Sequence, residues 1–338
     1  MTTTKLSLLK EIACLGDIFN DLANNDGLML DRVKRGTKAM ITIVALMAET
    51  EVGIHKVNIM LLLYRCLFLS TVLFNSSTWS NLRKKDLDCL RTLQLKFLKR
   101  VVGVASSTCN AFIFLELGVL PINYEIEKRQ LMYLYRILQL EQTDPVCQLF
   151  WEMVKMSEAG EKNWWTGVQS SLLKFNLPSD LNEIKEMTKD SFSKLVKAAV
   201  SENALRQLLE ECQSLKKTAT LHYSELKLQE YWEHLFPSQS KLVFKWRSKT
   251  LDLKTHATYK FSDTLCRNCK IHEETPEHAL NCGAVVGMEM KVDILKIDSI
   301  DDFTRSELKQ MVLRISSFLD RVTEGEKRNC TLLTDGLT

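Results

Sequence analysis

Only 12 glycines and five prolines punctuate the 338 residues, and between them apolar side chains recur mostly at intervals of three and four, with strand-like alternation rare. That rhythm is the mark of amphipathic helices, and so few turn-formers leave little room for sheet architectures. The expected fold class is mainly α, with helices over roughly two thirds of a chain long enough for about two domains and a sizeable core.

The pattern predicts helices over 28–50, 55–79, 83–102, 122–141, 146–158, 190–214 and 220–235, and a short strand within 12–20 ahead of the turn-rich NDLANNDG. The fifth helix opens on Asp144 as cap with Pro145 in the first turn, where the amide hydrogen that proline lacks would have had no partner. Breaks are expected at AGEKNWWTG (159–167), NLPSD (176–180) and FPSQS (236–240), so the chain divides into 1–158, 159–240 and 241–338. Near the end, Leu308, Met311, Val312, Ile315, Phe318, Leu319 and Val322 form one apolar stripe behind a Thr304–Glu307 capping box, which predicts a final amphipathic helix.

The most apolar run, IMLLLYRCLFLSTVLF from Ile59 to Phe74, is short for a bilayer and carries Arg65 at its centre. It reads as a buried helix, and no membrane partner is expected. The opening MTTTKLSLLKEIACLGD places Lys5, Lys10 and Glu11 where a secretory leader is apolar. With seven cysteines scattered singly, this predicts a reducing nuclear or cytoplasmic setting rather than secretion.

The other three cysteines crowd into LCRNCKIHEETPEHALNC (265–282) with His272 and His278. Cys266 and Cys269, separated by two residues, can face one ion from a tight turn, and His278 and Cys282, four positions apart, share one face of a helical turn. His272 competes for the fourth position but has no helical pairing with Cys282. Three thiolates and an imidazole suit structural zinc, and four protein ligands leave no open position for a reacting water.

The net charge of +3 conceals a strong asymmetry: 241–262 alone carries +5, while 263–338 carries −4. Within KLVFKWRSKTLDLKTHATYKF, Lys241, Lys245, Arg247, Lys249, Lys254 and Lys260 interleave with Phe244, Trp246, Tyr259 and Phe261. Cations that neutralise phosphates beside aromatic faces that stack on bases suit RNA or DNA. The plainer account is a solvated helix with its aromatics facing a core. A second candidate, 83–103, sets Leu87, Leu90, Leu93, Phe97, Leu98 and Val101 on one face and Lys84, Lys85, Arg91, Lys96, Lys99 and Arg100 on the other. Arg32, Lys34, Arg35 and Lys38 make a weaker third patch. For both, an ordinary solvated face is the alternative.

Catalytic signals are sparse. No phosphate-cradling glycine loop or nucleophile elbow is present, and the pair Asp301–Asp302 reads as anionic residues at a helix start. No catalytic residue is expected.

Taken in order, these pieces resemble the region after the catalytic palm in reverse transcriptases of non-long-terminal-repeat (LINE-like) retrotransposons. CLGDIFNDLANNDGLMLDRVKRGTKAM is similar to that family's YLG turn and I..R...A helix, and LLLYRCLFLSTVLFNSSTW to the stretch that follows, with Asn75-Ser76 in place of Tyr-Gly. LKFLKRVVGVASSTCNAFIFLELGVLPI resembles LR.ilg.p......l..elG..p, and KWRSKTLDL with the cysteine cluster resembles the basic segment and terminal zinc knuckle. The family knuckle has four residues between its histidine and last cysteine; this chain has three. The resemblance implies a thumb-like region over 1–158, a linker over 159–240, and a CCHC knuckle, with the polymerase aspartates lying ahead of these residues. It implies a non-enzymatic piece of an RNA-directed DNA polymerase that binds RNA or DNA and has the palm of a full-length enzyme as its protein partner. Two other readings stand beside it: a helical protein-interaction module with a zinc staple, motivated by the final stripe, and a retrotransposon remnant without function.

Overall fold

The computed structural model describes residues 11–14, 16–20, 25–49, 53–215, 217–218, 220–256, 262–284 and 305–334. The chain is mainly helical, over about two thirds of its length. A hairpin of β1 (Glu11–Cys14) and β2 (Asp17–Asn20) leads to α1 (Asp26–Ala48), α2 (Lys56–Leu63), α3 (Ser70–Val72) and α4 (Lys84–Val102). There follow α5 (Asn110–Leu117), α6 (Ile122–Leu138), α7 (Pro145–Glu158), α8 (Trp164–Lys174), α9 (Leu181–Glu186) and α10 (Lys189–Gln213). Last come α11 (Tyr231–His234), α12 (Pro237–Arg247), α13 (Pro276–Asn281) and α14 (Arg305–Thr334). The Asp301–Asp302 pair and Thr304 lie outside the described residues.

The chain forms two compact units, neither of them continuous in sequence. The first draws on 1–51, 59–101 and 119–207, the second on 52–58, 102–118 and 208–338. In the first, the strand expected within 12–20 is an antiparallel pair with Cys14 opposite Asp17. Its turn uses Gly16 at φ +86°, a conformation open chiefly to glycine. Arg32 of α1 reaches back to the Asp17 carboxylate and the Gly16 carbonyl and lies over the Phe74 and Trp79 rings. It is 1% exposed, so it belongs to the core and leaves the third cationic patch. Lys34, Arg35 and Lys38 stay at the surface.

Between α2 and α3 one π-helical turn, Tyr64–Leu69, continues the helix. Tyr64, Phe68 and Phe97 stack there with centroids 5.1–5.4 Å apart. The segment expected to be a buried helix is buried on one face only, since Leu62, Arg65, Leu67 and Phe74 are exposed. Gly53–Val72 has the length and hydropathy of a membrane span; its inward face is spent on this aromatic core. Buried Gln94 of α4 donates to Tyr64 Oη (2.7 Å) and the Leu120 carbonyl (2.8 Å) and accepts from Ile122 N (2.9 Å), fastening the start of α6.

Asp144 caps α7 as expected, accepting from Val146 N at 2.8 Å. The segment 159–167 is no gap between units: Asn163 and Thr166 form a reciprocal cap for α8, and buried Trp164 and Trp165 pack on Phe150 inside the first unit.

In the second unit α5 is buried on every face from Ala111 to Leu117, a stretch apolar but for Glu116. Phe112 lies 4.7 Å from Phe244 of α12, whose inward face also holds Val243 and Trp246. Gly118 ends α5 at φ +58°, and a Cβ there would overlap the Lys227 backbone. The helix expected over 220–235 shrinks to α11. Ahead of it the backbone bonds to the end of α5, Gln229 N donating to the Glu116 carbonyl and Leu117 bridging Leu228, instead of to its own preceding turn.

Candidate metal centre

Residues 264–274 fold back on themselves. Cys266 N donates to the His272 carbonyl and Glu274 N to the Thr264 carbonyl, both at 2.7 Å, while Lys270 at φ +59° makes the reversal. Cys266 and Cys269 ride on this turn. Thr275 then caps α13, its Oγ1 accepting from His278 N at 3.1 Å, and Pro276 opens the first turn, so His278 sits early in the helix and Cys282 just past it.

The two pieces bring four ligand atoms within 4.8 Å of one another. Cys266 Sγ is 3.9 Å from Cys282 Sγ, and Cys269 Sγ is 3.2 Å from His278 Nε2. A tetrahedron with metal–sulfur bonds of about 2.3 Å has edges of about 3.8 Å, so the residues present fit a four-coordinate ion. His278 completes the quartet. His272, exposed, gives its carbonyl to the turn, and its ring stands 5.3 Å from that of His278. Three residues between His278 and Cys282 close the site because the chain leaves α13 at Cys282 in extended conformation.

Burial, with the Cys266 sulfur adjacent, pushes the Cys282 thiol up to about 12. At Cys269 burial acts the same way, but the His272 and Ile271 amides outweigh it and hold that thiol below its usual range. A dication displaces such protons and takes the thiolates as ligands.

Support comes from three directions. Buried Glu274 accepts from Lys254 N (3.0 Å), Arg267 N (2.8 Å) and Arg267 Nη2 (2.7 Å), locking Arg267, the residue that follows Cys266. Asn268 donates to the Phe318 carbonyl and Arg314 to the Leu280 carbonyl, each at 3.1 Å, tying α14 to the turn and to α13. The stripe of α14 is inward: Leu308, Met311, Val312, Ile315, Phe318 and Val322 are buried and Leu319 half-buried, against α11, α12 and α13. The feature that motivated the interaction-module reading is thus spent on the chain's own core.

The nucleic-acid candidates separate by burial. On α4, Lys84, Lys85, Lys96 and Arg100 are exposed and Arg91 and Lys99 half-buried, opposite buried Leu90, Leu93, Phe97, Leu98 and Val101. Lys85 pairs with Asp26 at 2.8 Å. In the basic segment Lys241, Lys245 and Lys249 are half-buried. Three of the expected contacts are corrected: Trp246 faces the core, Arg247 is wholly buried, and Lys254 is buried with its ammonium on Asp263 at 2.6 Å. A ring turned into the core and two desolvated cations with carboxylates of their own are not available to a base or a phosphate. Tyr259 and Lys260 lie outside the described residues.

What holds Arg247 was not read from the sequence. Its Nε donates to Glu116 Oε1 at 2.8 Å, and the hydroxyls of Tyr223 and Tyr231 donate to the same carboxylate. Burial and the Glu116 charge push both tyrosines well above their usual range, so they remain protonated donors. The only signal was the elG element of the resemblance: in LELG, Glu116 is the buried acid and Gly118 the left-handed close approach. Comparison with family models, curated proteins and solved structures returns no match for this chain.

Proposed function

We propose that the chain is a non-catalytic nucleic-acid-binding region of a LINE-like reverse transcriptase, whose Cys266, Cys269, His278 and Cys282 hold a structural zinc. The observation that carries this reading is the closed quartet of ligand atoms, built from a turn and a helix cap, in the same unit as the partly exposed lysines Lys241, Lys245 and Lys249. Three sulfurs and an imidazole favour zinc over hard cations, and a full protein shell gives it a folding role rather than a reaction. Zinc supplies the crosslink that a short hairpin and a helix of six residues cannot supply by packing. The exposed cations of α4 supply the second nucleic-acid surface, Lys96 and Arg100 foremost, and RNA or DNA is the partner. The palm of a full-length enzyme is the protein partner under the same reading. Leu30, Ile41 and Leu46 of α1, each at least half exposed, offer it apolar surface.

Zinc content and RNA binding measured on one purified sample test the reading. One zinc per chain is expected, lost in Cys282→Ser, with affinity for structured RNA falling steeply as salt rises. A zinc-free wild-type protein, or no RNA binding at low salt, overturns it.

A further inference from the structure

In the second unit a cavity of about 700 Å³ opens beside the end of α4, and Lys217, Lys241 and Lys245 all line it. None of its described lining residues is acidic. Gly103, at φ +72°, turns the chain out of α4 next to Lys241 Nζ. Lys217 Nζ donates to the His256 carbonyl, a neutral acceptor, at 3.3 Å. Lys241 and Lys245 have no ion-pair partner among the described residues. Three like charges converging on one hollow repel one another, and an anion placed among them turns that repulsion into attraction. The rest of the lining indicates which anion. Thr108 adds a hydroxyl donor, and Val104, Ala105 and Leu215 add an apolar wall. Cationic groups and apolar surface in one lining fit a ligand that joins a phosphate to a flat, weakly polar ring.

We propose that this cavity is a phosphate site that takes a nucleotide unit, either within a single strand or free. The strand form deepens the nucleic-acid reading and rests on it. With no aromatic residue in the described lining, the bound unit is held by charge and shape, so binding is indifferent to base identity.

The test titrates the full chain with a single-stranded oligonucleotide and, separately, with ATP, at several salt concentrations. Lys241→Ala/Lys245→Ala is compared with Lys194→Ala/Lys197→Ala, which removes the same charge from exposed positions of α10. Unfolding midpoints confirm that both variants are folded. The cavity variant is expected to weaken binding by about tenfold at low salt and to reduce the logarithmic salt slope for the oligonucleotide by about 1.4, with the control unchanged. A loss confined to the oligonucleotide identifies a strand as the ligand, and a loss for ATP identifies a free nucleotide. Equal affinities of the two variants for both ligands overturn the site. If the wild-type chain binds the oligonucleotide and the cavity variant binds both it and ATP as well as the control does, the nucleic-acid reading stands and the site falls. If the wild-type chain binds no oligonucleotide, that reading falls, and the ATP arm alone decides the site: loss in the cavity variant supports it, and no loss or no ATP binding overturns it.

Discussion

His256 is buried, and burial first, then the charges of Lys217 and Lys249, push its imidazole down to about 4. In the unfolded chain it titrates near 6.5. Between these values the unfolded state binds more protons than the folded one, so stability rises with pH through the window. It is complete above about pH 6.5 and falls as pH drops toward 4. The predicted contribution is on the order of 2 kcal/mol. A His256→Gln protein should have a flatter stability profile between pH 4 and 6.5 in urea titrations; identical profiles would show that this histidine does not stay neutral. Composition hides such a residue, because a lone histidine carries no sign of whether it will be buried. The candidate ligand histidine was legible, since register alone paired His278 with Cys282, and the folded turn then left His272 outside the candidate quartet.

Elements are joined here by a few polar fastenings set in apolar interfaces. Glu116 holds α5 to Arg247 of α12 and to Tyr223 and Tyr231. Glu116→Gln keeps the shape but strands the Arg247 guanidinium in a dry site. We predict a loss of about 3–5 kcal/mol in urea unfolding, much of it recovered in Glu116→Gln/Arg247→Met, where no buried charge remains. A single variant within about 1 kcal/mol of wild type would mean that solvent reaches Arg247. Periodicity placed most of the helices it named to within a few residues, because a stripe that must be buried writes itself into the sequence every three to four positions. It misplaced 220–235 because the backbone there is stabilised by the end of α5, a partner distant along the chain. The same distance explains Arg247 and Lys254: a cation on a basic segment reads as surface until an acid from elsewhere is brought beside it.

Across the molecule, the candidate metal quartet belongs to the core of one unit only, through Asn268 to α14 and Arg314 to α13. If the quartet holds zinc as proposed, its withdrawal by a chelator should therefore speed amide exchange at 264–282 and 308–322 by on the order of a hundredfold, while 84–98 and 122–138 in the other unit keep their protection. Mass-spectrometric hydrogen exchange reads both; a uniform loss across the chain would rule out a local staple. The sequence by itself determined the helical class, the Asp144 cap, the stripe of α14 and the four candidate ligands, because each rests on neighbours within a turn or two of the chain. Tertiary structure alone decided that the compact units are discontinuous, that Arg32, Trp246, Arg247 and Lys254 turn inward, and that Lys217, Lys241 and Lys245 share one cavity. Those outcomes depend on which distant segment supplies the opposing charge or surface, and contacts between distant segments leave no period in a single sequence.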